Sequence, residues 1–340
     1  MKAVVAEKFN TVAMWDIPEP EVGPYNAKVK TLAGSLCNST DMKILHEEFA
    51  GPLPAILGHE AVGEITELGE KVTNYRVGDL VVRQRVGSYP DLGLESAFGS
   101  FVEYGLVTDE YARADDEGAM LSVTPNQTTA DPKWDHLALV QTITLKETLS
   151  FLRNLGVQEG DSILVYGTGP VGVSFSLWGV YLGCSEVIVV GRRDEACARS
   201  LALGRATHVI NNKKEHVADS VRKITGQGVT YSIEAIGENE VLLDCLDSLA
   251  PGGKVGIYGV PPDSQGVSPL LQDERVSDAV PNEASVDGEV LALVTEGKIP
   301  AREFVTHELT FEECGTAFEL LESKQAFKTG LKFARGKEEK

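Results

Sequence analysis

No two of the five cysteines, Cys37, Cys184, Cys197, Cys245 and Cys314, have the C-x-x-C spacing of a zinc module or redox centre. That scatter excludes a disulfide framework, and a reducing cytoplasm is the compartment it predicts. Basic residues are in short supply: 31 Lys and Arg face 51 Asp and Glu, a net charge of −20. Such a surface repels nucleic acid and anionic membranes, so neither is expected as a partner. Long apolar runs are also missing. No segment approaches the roughly 20 residues of a membrane span, and the apolar stretch in the N-terminal MKAVVAEKFN is too short for a signal-peptide core. The reading is therefore a soluble protein that is not exported, with that stretch as its first strand. What is present suits a globular chain: 340 residues, 42% hydrophobic and 24% charged, enough for two domains.

One stretch says more than any other. Residues 162–193 read SILVYGTGPVGVSFSLWGVYLGCSEVIVVGRR. The run Ile163-Leu164-Val165-Tyr166 has the length and composition of a buried parallel strand. It breaks at Gly167-Thr168-Gly169-Pro170-Val171-Gly172, a GxGxxG turn followed by a helical stretch and a second strand, Glu186 to Val190. Alone, GxGxxG is a weak signal; between strand and helix it is specific for a dinucleotide. Gly167 permits the tight turn, Gly169 leaves room for the pyrophosphate, and Gly172 lets helix and strand pack closely. The free N–H groups of the helix N-terminus then face the phosphates.

The end of the second strand selects the cofactor. An NAD site offers the ribose a carboxylate there, whereas this chain has Gly191, Arg192 and Arg193. Glycine leaves room for a 2′-phosphate and guanidinium groups bind it, so NADP is predicted over NAD. The competing reading has Asp194 or Glu195 doing the acid's work and the arginines as solvated charges.

Two patterns divide the chain. Up to about residue 110, short runs such as Ala27 to Leu32 and Ala61 to Ile65 are cut by Gly and Pro, the pattern of a mostly β domain. Beyond about 145, strands alternate with helices: His208 to Ile210, Tyr231 to Ala235 and Lys254 to Gly259 continue the series. The predicted class is α/β, with a doubly wound parallel sheet. Residues 261–287 read as loop-rich, 288–297 and 311–323 as helical, 330–333 as a last strand, and 334–340 as a frayed charged tail.

With Gly58-His59-Glu60 in the β-rich half and the GxGxxG turn in the second, the chain resembles the medium-chain, zinc-type alcohol and polyol dehydrogenases. The segments Pro54 to Ile65, Val77 to Val82, Gly99 to Tyr104 and Gly160 to Val165 extend that resemblance over nearly the whole length. It implies a GroES-like catalytic domain, residues 1–140 and 298–340, a Rossmann NADP-binding domain, residues 141–297, and an active site between them. It also implies a catalytic zinc held by Cys37, His59 and the residue at 141. Thiolate and imidazole are good zinc ligands. Gln141 stands where polyol dehydrogenases carry Glu, and an amide is a weaker ligand than a carboxylate. Glu60, next to His59, can supply the missing carboxylate.

Further residues follow from the same resemblance. Ser39 and Thr40 both offer the hydroxyl of a proton relay, and Asp41 orients their loop. Ala235, Gly237, Gly259 and Val260 border the adenosine ribose and nicotinamide. Residues 83–98, where many relatives hold a structural zinc, contain no cysteine, so none is expected. The implied activity is interconversion of an alcohol, most simply a sugar or polyol, with its carbonyl by zinc-assisted hydride transfer, in a homodimer or homotetramer. Two alternatives stay open: a zinc-independent NADPH reductase of a quinone or activated double bond, and a non-catalytic NADP-binding regulator. The other histidines and cysteines read as core or surface residues.

Overall fold

A computed structural model of the chain describes residues 1–49, 51–118, 129–131, 133–261 and 268–334. The tail expected to fray lies outside these residues from 335 onward. The chain divides into two compact units, Met1–Ile143 with Ala301–Lys340, and Thr144–Pro300.

The first unit begins with β1 (Lys2–Lys8), β2 (Thr11–Asp16) and β3 (Asn26–Ser35), then α1 (Thr40–Leu45). Next come β4 (Ala55–Ile56), β5 (Ala61–Leu68), β6 (Leu80–Val82), β7 (Glu95–Ser96) and β8 (Tyr104–Thr108). Helix α2 (Glu110–Glu117), β9 (Thr129–Ala130) and α3 (His136–Leu155) follow, and the boundary between the units falls inside α3.

The second unit alternates β10 (Ser162–Tyr166), α4 (Pro170–Tyr181), β11 (Glu186–Gly191), α5 (Asp194–Ala202) and β12 (His208–Asn211). It continues with α6 (Val217–Thr225), β13 (Val229–Glu234), α7 (Asn239–Asp247), β14 (Leu249–Ile257), β15 (Val276–Ser277) and α8 (Asp287–Thr295). The chain then returns to the first unit as β16 (His307–Thr310), α9 (Cys314–Glu322) and β17 (Thr329–Lys332).

In the first unit β1 is buried on both faces. Val4 and Ala6 pack with Leu36, Leu57, Phe101 and Phe311, while Ala3 and Val5 pack with Ile17, Ile56 and Val102. Alternate side chains of a strand point to opposite faces, so four small apolar residues in a row serve two cores. One sheet runs β2-β1-β4-β7, and a larger one runs β16-β17-β3-β5-β6-β9 with β8 on β3. The pairing of β17 with β3, Gly330 opposite Ser35, sets the end of the chain beside the start of the Cys37 loop.

The second unit has the expected α/β form, a six-stranded sheet in the order β12-β11-β10-β13-β14-β15 with every pairing parallel. Strands β10 and β11 are buried after their first residue, as strands covered by helices on both faces must be. Helix α4 is apolar almost all round, and its Trp178 donates from Nε1 to Leu145 O at 2.8 Å. Strand β15 lies within the stretch that reads as loop-rich, so that stretch contributes the sheet's edge. Among the described residues no helix is long and apolar enough to cross a membrane.

Candidate active site

Cys37, His59 and Glu60 come together in the first unit, with one ligand atom from each lying within 4.8 Å of the other two. Cys37 stands between β3 and α1, and its N–H donates to Asp41 Oδ2 at 2.8 Å. The same loop is tied to the end of the chain: Leu36 N and Ser35 Oγ donate to Thr329 O, and Asn38 Nδ2 donates to Phe327 O. His59 and Glu60 occupy the link between β4 and β5. Gly58 precedes them with φ +98°, and a Cβ there would lie 2.4 Å from the Phe101 ring, so only glycine fits.

The imidazole of His59 faces two acids. Its Nδ1 is 3.4 Å from Asp41 Oδ1, and its Nε2 is 4.0 Å from Glu60 Oε1. Asp41 is fully buried, and its carboxylate faces the ring at ion-pair distance. The Phe98 ring packs on the imidazole at 5.2 Å. Glu60 is buried; its Oε1 accepts from Lys328 Nζ at 2.9 Å, and its Oε2 lies 2.6 Å from the same ammonium as an ion pair. Lys328 is buried too, so each charge is the other's compensation, and losing one side of such a pair costs about 3–5 kcal/mol.

These charges set the protonation of the site. Burial disfavours the His59 cation, yet the Asp41 carboxylate and the Cys37 sulfur hold it well above the usual histidine range. Burial is the largest influence on Cys37 and opposes its ionisation, but the hydrogen bond and charge of His59 together with the Lys328 ammonium bring the thiol below its ordinary value. Burial lowers Lys328, and Glu60 more than restores it. A thiolate, an imidazole nitrogen and a carboxylate so close together are a donor set suited to zinc, whose entry releases the imidazole proton.

The remaining candidates sit as follows. Gln141 is buried on α3, its amide nitrogen donating to Leu137 O at 3.3 Å. Ser39 is exposed immediately before α1 and caps no backbone N–H, and Thr40 opens that helix half-buried.

In the second unit the glycine turn has the geometry its residues imply. Gly167 has φ +130°, Gly169 caps α4 with Pro170 as the first helical residue, and a Cβ on Gly169 would meet nothing within 4 Å. A Cβ on Gly172 would lie 1.9 Å from Gly167 O, a distance at which the turn must deform. Val171 lies in the first turn of α4. Thr168 bears on selectivity, because a Cβ on Gly191 would lie 2.4 Å from Thr168 Cγ2. An aspartate at 191 has no room unless Thr168 moves.

Nor are the neighbouring acids available to a ribose. Asp194 accepts from Lys214 Nζ and Asn211 Nδ2, and Glu195 pairs with Arg199. Arg192 pairs with Glu238, and Arg193 is exposed with no side-chain partner among the described residues. The loops after β13 and β14 are braced by Glu234. Its Oε1 accepts from Ile236 N and Gly237 N, each at 2.8 Å, and its carbonyl accepts from Tyr258 N and Gly259 N. A Cβ on Gly237 would lie 2.4 Å from Val260 O, so Ala235, Gly237, Gly259 and Val260 form one tight group.

Sequence reading had identified Asp41 only as a loop-orienting acid and had missed Lys328, Glu234 and Glu238. An acid ending the apolar strand β13 was a usable signal for Glu234. Nothing local marks Lys328 or Glu238.

Comparison with known proteins accounts for both units. A family model described as alcohol dehydrogenase GroES-like domain matches residues 23–116, and one described as zinc-binding dehydrogenase matches 170–293. An alcohol dehydrogenase of Cupriavidus necator is 26% identical over 359 aligned positions, covering 96% of each chain. A sorbitol dehydrogenase of Halalkalibacterium halodurans is 26% identical and covers 97% of this chain and 99% of its own. An NADP-dependent isopropanol dehydrogenase of Entamoeba histolytica is 27% identical, covering 90% and 88%. Among solved structures, an alcohol dehydrogenase from Thermus sp. ATN1 superposes with a TM-score of 0.81 at 26% identity, covering 98% of this chain and all of that one. With both halves matched in order and relatives alike from end to end, the chain belongs to the medium-chain, zinc-type alcohol and polyol dehydrogenase family.

Proposed function

We propose that this protein is an NADP-dependent dehydrogenase interconverting a small secondary alcohol or polyol with its carbonyl, using one zinc ion. The observation that carries the reading is the convergence of Cys37, His59 and Glu60 within 4.8 Å. Relatives named for isopropanol, butanediol and sorbitol support the substrate class.

Cys37 Sγ, His59 Nε2 and the Glu60 carboxylate would hold the metal, with Gln141 the candidate for a weaker neutral ligand. When bound, zinc supplies Lewis acidity to a substrate hydroxyl and NADP supplies the hydride acceptor. The chain's own residues do the rest. Asp41 keeps the His59 ring oriented, and Lys328 balances the charge of Glu60. Ser39 or Thr40 takes the hydroxyl proton at its side-chain oxygen and passes it towards solvent. The N–H groups at the start of α4, opened by Gly167 and Gly169, bind the pyrophosphate. Arg192 and Arg193 bind the 2′-phosphate, and the group Ala235, Gly237, Gly259 and Val260 walls the dinucleotide.

Metal analysis is expected to give about one zinc per chain. Chelation should abolish oxidation of secondary alcohols and polyols with NADP, and added zinc should restore it. Full activity in a zinc-free preparation refutes the metal role and favours the reductase alternative.

A further inference from the structure

Arg192 does not wait for its ligand unoccupied. Its guanidinium lies 3.2 Å from Glu238 Oε2, with the two side chains 58% and 46% exposed. Arg192 follows β11, and Glu238 closes the loop after β13 as the residue before α7. Strand β10 lies between β11 and β13, so this pair spans the end of β10 from which the Gly167–Gly172 turn springs. A dinucleotide in a doubly wound sheet lies across that place. The other acids near the arginines are engaged elsewhere, Asp194 by Lys214 and Glu195 by Arg199.

We propose that Glu238 is an internal competitor for the 2′-phosphate: its carboxylate holds Arg192 whenever the phosphate is absent and must be displaced for NADP to engage it. The inference rests on the NADP reading above and adds a specificity determinant to it. A cofactor with a 2′-hydroxyl makes no claim on Arg192 and binds with the ion pair intact. A 2′-phosphate takes the guanidinium by charge-assisted hydrogen bonds and places its own negative charge beside the released carboxylate. Glu238 therefore weakens NADP selectively and eases its release, while leaving NAD untouched. The pair is half exposed, so the effect is modest, about two- to fivefold in affinity.

Calorimetric titration of NADP and NAD into the parent, Glu238→Gln, Arg192→Ala and the double variant tests this. The expected result is NADP binding about two- to fivefold tighter in Glu238→Gln, NAD unchanged, and no effect of the glutamate substitution once Arg192 is alanine. Tightening of both cofactors alike, no tightening, or a gain that persists without Arg192 overturns the competitor role. If the parent itself does not prefer NADP, the NADP reading falls as well; if the parent prefers NADP and Arg192→Ala leaves that affinity intact, only the competitor falls. A silent Glu238→Gln in a parent with an Arg192-dependent NADP preference removes only the competitor.

Discussion

Six consecutive residues, Gly167 to Gly172, make the glycine turn of the second unit, whereas the candidate metal cluster of the first takes Lys328 from 268 positions beyond Glu60. The turn is a backbone device: its shape comes from what glycine lacks, and a helix N-terminus with unused N–H groups is what would draw a phosphate to it. The cluster is a side-chain device, a set of buried charges each tolerable only because another faces it. The first is vulnerable to an added methyl group, the second to a removed charge.

Three experiments press on that contrast. The largest effect is expected from Lys328→Met in the metal-free protein, which leaves Glu60 buried without its cation. Stability measured by denaturant unfolding should fall by about 3–5 kcal/mol, and adding Glu60→Gln should recover much of it. A loss no larger than that of an ordinary surface substitution removes the claim that the cluster rests on charge compensation. Next comes Gly172→Ala, whose Cβ would meet Gly167 O at 1.9 Å. It should cost about 1–3 kcal/mol through overpacking and abolish NADP binding while zinc content stays at the parental level. Zinc lost in parallel with NADP would mean that the two sites do not fail separately.

The smallest effect concerns acid. Asp273, half-buried beside β15, accepts from the Arg275 guanidinium and backbone, which pull its carboxyl down to about 2. A folded-state pKa below the unfolded one stabilises above the ordinary carboxylate range and is lost on acidification, here between about pH 4 and about 2. Asp273→Asn should therefore lower stability slightly near neutrality, where the contribution is fully present, and flatten the acid limb, so that variant and parent converge towards about pH 2. A difference from the parent as large below about pH 2 as near neutrality would show that Asp273 acts through something other than titration.

The same contrast explains what the sequence made legible. Strands β10 to β14 announce themselves as apolar runs, and the turn is read directly because its residues are contiguous. Gly191 was readable as an absent carboxylate, though the reason that carboxylate has no room, the side chain of Thr168, needed coordinates. Cys37 and His59 emerged through resemblance, and Asp41 was visible only as an acid near Cys37. Lys328 was not readable at all, since a lysine before a short apolar strand is the usual sign of a surface. Strand β15 escaped because two half-buried residues carry no periodicity. The unit boundary within α3 coincides with no proline, glycine or shift of composition.

The pairing of Glu60 with Lys328 also orders events in time. A ribosome that has delivered residues 1 to 300 has supplied Cys37, His59, Glu60 and Gln141, together with the whole second unit, but neither β16, β17 nor the lysine between them. Until residues 327–329 emerge, the loop that carries Cys37 lacks the carbonyls of Phe327 and Thr329, and Glu60 lacks the Lys328 ammonium. The nascent chain can thus complete the fold of its second unit before its Cys37, His59 and Glu60 cluster acquires the last of its supports.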